Sequence, residues 1–396
     1  MAVINAIWIL FQVLIGYNLI LPILLYLLYS VKKRKEVLLS APAEADYAII
    51  VTAYEWVTAI PEVVNSLLKL NYSNYLIYVV ADKCDISSLH FEDERVIILR
   101  PEETLAGNVR SHFYAINRFK RAHERLTIID SDNIVEPEYL NELNKMFNQG
   151  FEAVQGIREA KNLDTTYACL DAARDIYYHF YDGKILFSVG SSATLAGSGM
   201  AFTTQLYRSC LERLDVSGAG FDKVLQAGIL GQNKRIAFTG KAIVWDEKTT
   251  HSDQLVKQRA RWINTWFKYF GYGFTLLLKS VKNFSLNQFL FGLILLRPPL
   301  FIFLILAVFC MLANVFISWV AVALWLVGFL LFVLGFYLSL AKSDTDKRIY
   351  QSLVNIPKFI YFQILSLLKS RKANQYSVAT RGAQSTDEDN TKAEKL

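Results

Sequence analysis

The chain opens on an unbroken apolar run. From Ala2 to Val31 there is no charged residue, and Ile, Leu, Tyr and Trp8 fill most positions. A bilayer core is crossed by about 20 apolar residues in a helix, so residues 1–31 predict an N-terminal transmembrane anchor. A cleaved signal peptide needs a basic start, a shorter apolar core and a small-residue cleavage site. Here the basic residues come after the run instead, as Lys32, Lys33, Arg34 and Lys35. That order predicts a retained anchor with the following domain in the cytoplasm. A second uncharged stretch runs from Pro298 to Ala341, broken by polar residues between Asn314 and Ser318 and followed by Lys342, Lys347 and Arg348. It predicts a transmembrane helical hairpin within residues 284–345. Two further segments mix aromatic, apolar and basic residues, Arg259 to Val281 and Ile356 to Leu368. They predict interfacial helices within 251–283 and 350–372. The polar tail, 373–396, predicts disorder.

Between the anchors, residues 36–250 change rhythm. Short apolar runs at Ala48–Thr52, Leu76–Ala81, Val96–Leu99, Leu126–Ile129 and Ala153–Val154 read as buried strands. Helical stretches at Pro61–Leu70, Gly107–Lys120, Pro137–Phe147 and Asp222–Ile229 alternate with them. This alternation predicts an α/β domain with a parallel sheet, inserted between transmembrane helices. Ligands of such sheets bind beyond the carboxyl ends of the strands, so the polar residues there carry the candidate chemistry.

Composition narrows the classes. With 53% hydrophobic and 20% charged residues, the chain is neither a disordered polymer nor a bundle of membrane helices alone. A net charge of +6 over 396 residues suits a face near anionic lipid and is too small to argue for nucleic acid. Cys84, Cys169, Cys210 and Cys310 are far apart with no CxxC pair, which argues against a zinc site or disulfide framework and suits a reducing compartment.

The first strand ends in Thr52-Ala53-Tyr54-Glu55, without the glycine fingerprint of a dinucleotide site, and no P-loop sequence occurs. Asp82 closes the second strand, where a carboxylate can accept hydrogen bonds from a base or ribose, or simply cap a turn. The fourth strand ends in Asp130-Ser131-Asp132. Two carboxylates one residue apart can divide their work between a ribose and a hard cation, and Mg2+ or Mn2+ takes one or two carboxylates plus phosphate oxygens. Asp222 opens a helix and can serve as a base for an attacking hydroxyl or as a helix N-terminal carboxylate. In Gln258-Arg259-Ala260-Arg261-Trp262, arginine offers a fork of donors for phosphate and tryptophan a flat face for a sugar. The same residues also suit an interfacial anchor.

The ordered set of Tyr54, Asp82, Asp130-x-Asp132, Gly197-Ser198-Gly199-Met200, Asp222 and Gln258-x-x-Arg261-Trp262, followed by membrane spans, resembles the membrane-bound family 2 glycosyltransferases. Cellulose, chitin, hyaluronan and poly-N-acetylglucosamine synthases and ceramide glucosyltransferase are of this kind. The resemblance runs from the first strand to Thr380-Arg381. It implies a glycosyltransferase A-type nucleotide-sugar-binding domain and an inverting transfer from a UDP-sugar, with Mg2+ or Mn2+ as cofactor. It implies that Tyr54 and Asp82 hold the uridine, with Thr52 and Glu55 beside them. Asp130 would lie by the nucleotide, Asp132 on the metal, and Gly197, Ser198, Gly199 and Met200 along the acceptor pocket. Asp222 would be the base, and Gln258, Arg261 and Trp262 would cover the diphosphate and stack on the acceptor. The sequence departs from the commonest pattern at Thr52, at Ala106-Gly107-Asn108 and at Phe221.

The partners this implies are a nucleotide-sugar donor, the bilayer, and either a growing polysaccharide or a lipid as acceptor. Too few spans are expected for a self-contained polymer channel, so a second copy or a membrane partner could supply the missing wall. A non-catalytic scaffold is the third reading. The expected location is a bacterial inner membrane, crossed more than once, with the catalytic domain in the cytoplasm.

Overall fold

The structure, a computed structural model, describes residues 2–32, 44–216 and 218–373. Lys33, Arg34 and Lys35 of the basic cluster, and the tail beyond 373 with Thr380-Arg381, lie outside the described residues. The uncharged N-terminal run is one helix, α1 (Ala2–Val31). The α/β domain then builds β1 (Tyr47–Tyr54), α2 (Ile60–Leu68), β2 (Tyr75–Asp82), β3 (Val96–Leu99), α3 (Asn108–Ile116) and β4 (Arg125–Asp130). It continues with β5 (Ile134–Val135), α4 (Tyr139–Phe147), β6 (Ala153–Ala160) and α5 (Thr166–Tyr178). α5 runs on through a π-helical turn (His179–Ile185) into a short α6 (Leu186–Ser188). β7 (Met200–Thr203), α7 (Thr204–Leu211), α8 (Phe221–Gly231) and β8 (Ile236–Asp246) complete the domain.

The sheet order is β3-β2-β1-β4-β7-β6-β8-β5. β3, β2, β1 and β4 are parallel, whereas β7 is antiparallel to both β4 and β6, and β5 is antiparallel to β8. The sheet is therefore mixed, not wholly parallel as the strand–helix rhythm predicts. The reason is local: the chain returns from α6 through a loop turned by Gly197 and Gly199, with φ of +88° and +66°, and enters β7 against the sense of β4. In the parallel half, register sets the site. Tyr54 pairs with Asp82 and Thr52 with Asp130 across neighbouring strands, so three polar strand ends meet at one edge.

The remaining helices are α9 (Ser252–Tyr269), α10 (Tyr272–Asn283), α11 (Leu286–Leu296), α12 (Leu300–Asn314), α13 (Trp319–Ala341), α14 (Lys347–Ser352) and α15 (Ile356–Lys369). α1 and α13 are long and apolar enough to cross a membrane. The expected hairpin turn falls between α12 and α13, where Ser318 caps α13 by accepting from the Ala321 amide. The first arm differs from a full span. α12 has 15 residues, a rise of about 22 Å, and its chain bends by 77° into α11 at Arg297-Pro298-Pro299. Two successive prolines remove amide donors and stop the helix there. One hydrophobic core joins Leu19 and Leu25 of α1, Phe303 of α12 and Phe332 of α13 to Phe180, Tyr181 and the sheet face bearing Ile50 and Ile128. The helices and the α/β domain are thus packed as one body around the site.

Candidate active site

A cavity of about 1050 Å³ opens at the carboxyl edge of the parallel strands and continues toward α12 and α13. On the sheet side it is lined by Thr52, Tyr54, Asp82, Asp130 and Asp132. Each stands at the end of an apolar strand, where the ladder finishes and the backbone turns toward solvent. Asp82 is buried, and its two carboxylate oxygens accept the Leu105 and Ala106 amides at 2.9 and 2.8 Å. The carboxylate therefore fastens the 105–106 loop over the cavity, bringing Gly107 and Asn108 to its wall. Glu55 sits just outside, paired at 2.8 Å with Lys83.

The Asp130 amide donates to Ser198 Oγ at 3.0 Å. Ser198 and Met200 are fully buried behind the strand end, and only Gly197 of the Gly197–Met200 loop reaches the cavity wall. Gln155 locks this loop: its side-chain oxygen accepts the Ala196 amide at 2.9 Å, and its Nε2 donates to the Ser198 carbonyl at 3.1 Å. The loop positions Asp130 rather than presenting all four residues to a ligand. A Cβ on Gly199 would also lie 2.9 Å from Val244.

Burial raises the pKa of Asp130, opposed by Arg158. Asp132 is pushed up to about 7, first by burial and then by the neighbouring Asp246 and Asp130. The Asn133 amide bridges Asp132 and Asp246 with donor distances of 3.0 and 3.1 Å. Burial works against ionising Asp246 too, but Arg158 and Lys248 outweigh it and hold its pKa at about 2. Both cations lie 2.7 Å from its carboxylate. Among the described residues no three His, Cys, Asp or Glu side chains form a closed metal cage. The arrangement still fits a divalent ion shared with a diphosphate, which needs only one or two carboxylates from the protein. The crowded carboxylates that raise Asp132 are the charge such an ion would offset.

Asp222 lies in the first turn of α8, behind Gly220, whose φ of +98° starts the helix. It lines the cavity with Lys223, whose Nζ is 3.5 Å away. Gln258, Arg261 and Trp262 of α9 line the cavity's other side. The Trp262 ring is flanked by two guanidinium groups, Arg174 at 4.4 Å and Arg259 at 4.1 Å from its centroid. The structure thus gathers the five polar strand-end residues, Gly197, Asp222 and the α9 trio around one space.

Several lining residues escape sequence reasoning. Arg158, Asp175, Asp246 and Lys248 form a buried ion network, with Lys248 Nζ 2.6 Å from Asp175. Arg259, already named in the Gln258–Trp262 run, is buried against Asp171, a pairing the sequence does not show. Asp246 alone left a signal, since it ends the apolar β8 as Asp130 ends β4. Tyr178 at the end of α5 and His179 and Asp182 in the π-helical turn reach the cavity; this local widening of the helix is not revealed by single-sequence periodicity and often marks a functional site.

Comparison with known proteins follows the same outline. Residues 42–265, more than half of the chain, match the family described as "Glycosyltransferase like family 2". The mannosyltransferase PcManGT from Pyrobaculum calidifontis, solved with GDP-Man and Mn2+, superimposes with a TM-score of 0.53 at 16% identity. That match covers 91% of this chain and 98% of the other. S. aureus TarS 1-349 in complex with UDP-GlcNAc aligns with a TM-score of 0.41 at 13% identity, over 83% and 90% of the two chains. No curated protein sequence matches. The mixed sheet with its strand-end carboxylates and the family match agree: this chain belongs to the family 2 glycosyltransferases and is a nucleotide-sugar transferase with the glycosyltransferase A-type fold.

Proposed function

We propose that the protein is a membrane-embedded, inverting glycosyltransferase that moves a sugar from a UDP donor to a hydroxyl arriving from the membrane side. The observation that carries this is the single cavity in which Asp130, Asp132 and Asp222 face Gln258, Arg261 and Trp262. Thr52, Tyr54 and Asp82 take the nucleoside at the strand ends, with Glu55 at the rim. Asp130 lies beside the ribose. Asp132, with Asp130, would hold Mg2+ or Mn2+, which when bound supplies charge neutralisation for the diphosphate; the Mn2+ held by the structurally similar mannosyltransferase supports this choice. Gln258 and Arg261 cover the diphosphate, Arg261 offering paired donors to its oxygens. Trp262 and Gly197 border the acceptor.

The reaction is one displacement. Asp222 accepts the hydroxyl proton as the acceptor oxygen bonds to the anomeric carbon. The bond from that carbon to the phosphate oxygen breaks, and UDP departs with the electron pair. Attack from the face opposite the leaving group inverts the anomeric centre, and no enzyme nucleophile is needed.

Membrane insertion is supported by the apolar side chains that α1 and α13 expose, among them Ile4, Leu14, Leu28, Val320 and Leu330. Lys32 after α1 and Lys342 after α13 argue for a cytoplasmic catalytic domain in a bacterial inner membrane. The acceptor is the end of a growing polysaccharide or a lipid. The first choice needs a longer channel wall, from a second copy or a partner. A silent scaffold would have no use for the assembled carboxylates.

The test is Asp222→Asn in purified protein supplied with Mn2+ and a panel of UDP-sugars. Transfer should fall by about 10²- to 10⁴-fold while UDP binding persists. Normal transfer by correctly folded variant protein rules out Asp222 as the base.

A further inference from the structure

The cavity does not end at Trp262. It passes Arg174, Tyr178 and Arg297 and continues between α12, α13 and α15, where Phe301, Leu304, Phe332, Val333 and Phe336 form its wall. Val333 and Tyr337 line this end and are also 61% and 56% exposed on the outer face of α13. Ile356, Phe359 and Ile360 of α15 stand on the other side. The far end is therefore open sideways, between a helix long enough to cross a bilayer and an amphipathic one.

We propose that the acceptor is an uncharged membrane lipid with a free hydroxyl, whose hydrocarbon chain lies between α13 and α15 while its headgroup reaches Asp222. This deepens, and rests on, the transferase reading above. Three observations carry it. The first is the chemistry of the far wall: apart from Tyr337 and Gln363 its lining is Phe, Leu, Ile and Val, which gives the many hydroxyls of a glycan few hydrogen-bond partners, and burying such groups unpaired is costly. A hydrocarbon chain loses nothing there.

The second is charge. At the neck Arg158 and Lys248 are matched by Asp246, Arg174 by Asp175, Arg259 by Asp171 and Arg297 by Asp182. A neck whose cations are already answered suits a neutral headgroup better than a phosphate. A carboxylate base also has work to do only on an alcohol, since a phosphate acceptor is ionised at neutral pH. The third is a pair of waiting donors. Trp266 Nε1 and Arg259 Nη1 are shielded from solvent, belong to cavity-lining residues, and have no hydrogen-bond partner among the described residues. The hydroxyl and ester or amide oxygens of a neutral lipid headgroup would satisfy them.

The balance is that of the displacement already given. The lipid hydroxyl loses its proton to Asp222, its oxygen bonds to the anomeric carbon, and UDP leaves with the electrons of the broken bond.

The experiment places the full chain in phosphatidylcholine nanodiscs doped with dioleoylglycerol, ceramide or a polyprenol, or with phosphatidic acid as the anionic counterpart. Mn2+ and UDP-sugars are supplied, and both UDP release and lipid-phase products are followed. One neutral glycolipid of defined mass is expected, with little product from phosphatidic acid. Val333→Trp, which narrows the lateral opening on an exposed position, should cut glycolipid formation at least about tenfold and leave acceptor-free UDP release unchanged. Donor turnover that yields a water-soluble ladder, an anionic glycolipid or no glycolipid overturns the lipid inference and leaves the transferase standing. Unaltered glycolipid formation by the Val333 variant overturns the proposed route. Failure to use any donor sugar overturns the transferase reading and the inference with it.

Discussion

Arg297 and Asp182 are joined by two hydrogen bonds: Nη1 and Nη2 of the guanidinium donate to the two carboxylate oxygens, the first at 3.1 Å. Arg297 stands at the 77° bend between α11 and α12, and Asp182 belongs to the π-helical turn after α5. Both side chains are buried. The ion pair therefore ties α11 and α12 to the element that delivers Tyr178 and His179 to the cavity.

Breaking one side of that pair leaves a buried, unanswered charge. Asp182→Asn or Arg297→Met should each destabilise the protein by about 3–5 kcal/mol. The double variant should lose clearly less than the two costs added together, because it removes both charges at once. Unfolding midpoints in mixed detergent micelles measure this. Strict additivity of the two single effects would show that the residues do not act as a pair.

Gly220 and Gly197 allow a sharper separation of backbone and packing effects. Both have positive φ, +98° and +88°. A Cβ on Gly220 would lie 2.4 Å from Thr265 Cγ2 and 2.8 Å from Tyr269 Cε2, whereas one on Gly197 meets nothing within 4 Å. Gly197→Ala should therefore cost only the conformational penalty, about 1 kcal/mol. Gly220→Ala adds a clash worth about 1–3 kcal/mol and displaces the start of α8, which carries Asp222. Turnover by Gly220→Ala should fall more than donor affinity does. Equal melting temperatures and turnover for the two variants would refute the packing argument.

Much of this architecture was legible in the sequence because apolar periodicity and function coincide at strand ends. β3 falls where its four-residue apolar run predicts, and β1, β2 and β4 extend their predicted runs by one or two residues at each end. Where function replaces apolar residues, the pattern fades. The run at Ala153–Val154 extends through Gln155 and Arg158 to Ala160, because Gln155 turns inward to hold the 196–198 loop and Arg158 pairs with Asp246 at the cavity wall. Segment 161–199 hid the ion network for a related reason. Asp171, Arg174 and Asp175 look like the solvated face of a helix until Lys248 and Arg259, far along the chain, are brought against them. Gly197–Met200 shows the converse: the motif stands at the site, but only one of its residues reaches the cavity.

Two guanidinium groups pack on the Trp262 ring, Arg174 at 4.4 Å and Arg259 at 4.1 Å from its centroid. Each cation–π contact is worth about 0.5–2 kcal/mol, so the indole is fixed in orientation while its residue stays 40% exposed. A rigid, partly open aromatic face suits an acceptor more than a donor. Trp262→Ala should reduce transfer to acceptor by about tenfold or more and leave acceptor-free donor hydrolysis near its original rate. Parallel loss of both activities would mark Trp262 as a membrane anchor instead.

The carboxylates around Asp132 make a prediction about metal that needs no turnover. Asn133 bridges Asp132 and Asp246, and Asp246 is already held by Arg158 and Lys248. Asp132 and Asp130 are left as the pair with charge to give to an ion. Mn2+ at about 100 times its dissociation constant should stabilise the folded protein by about 2.7 kcal/mol, seen as a rise in melting temperature. Asp132→Asn should abolish that rise. Asp246→Asn should lower the starting stability, because Arg158 and Lys248 lose their shared partner, yet keep most of the Mn2+ response. A full response in Asp132→Asn together with none in Asp246→Asn would move the ion from the end of β4 to the end of β8.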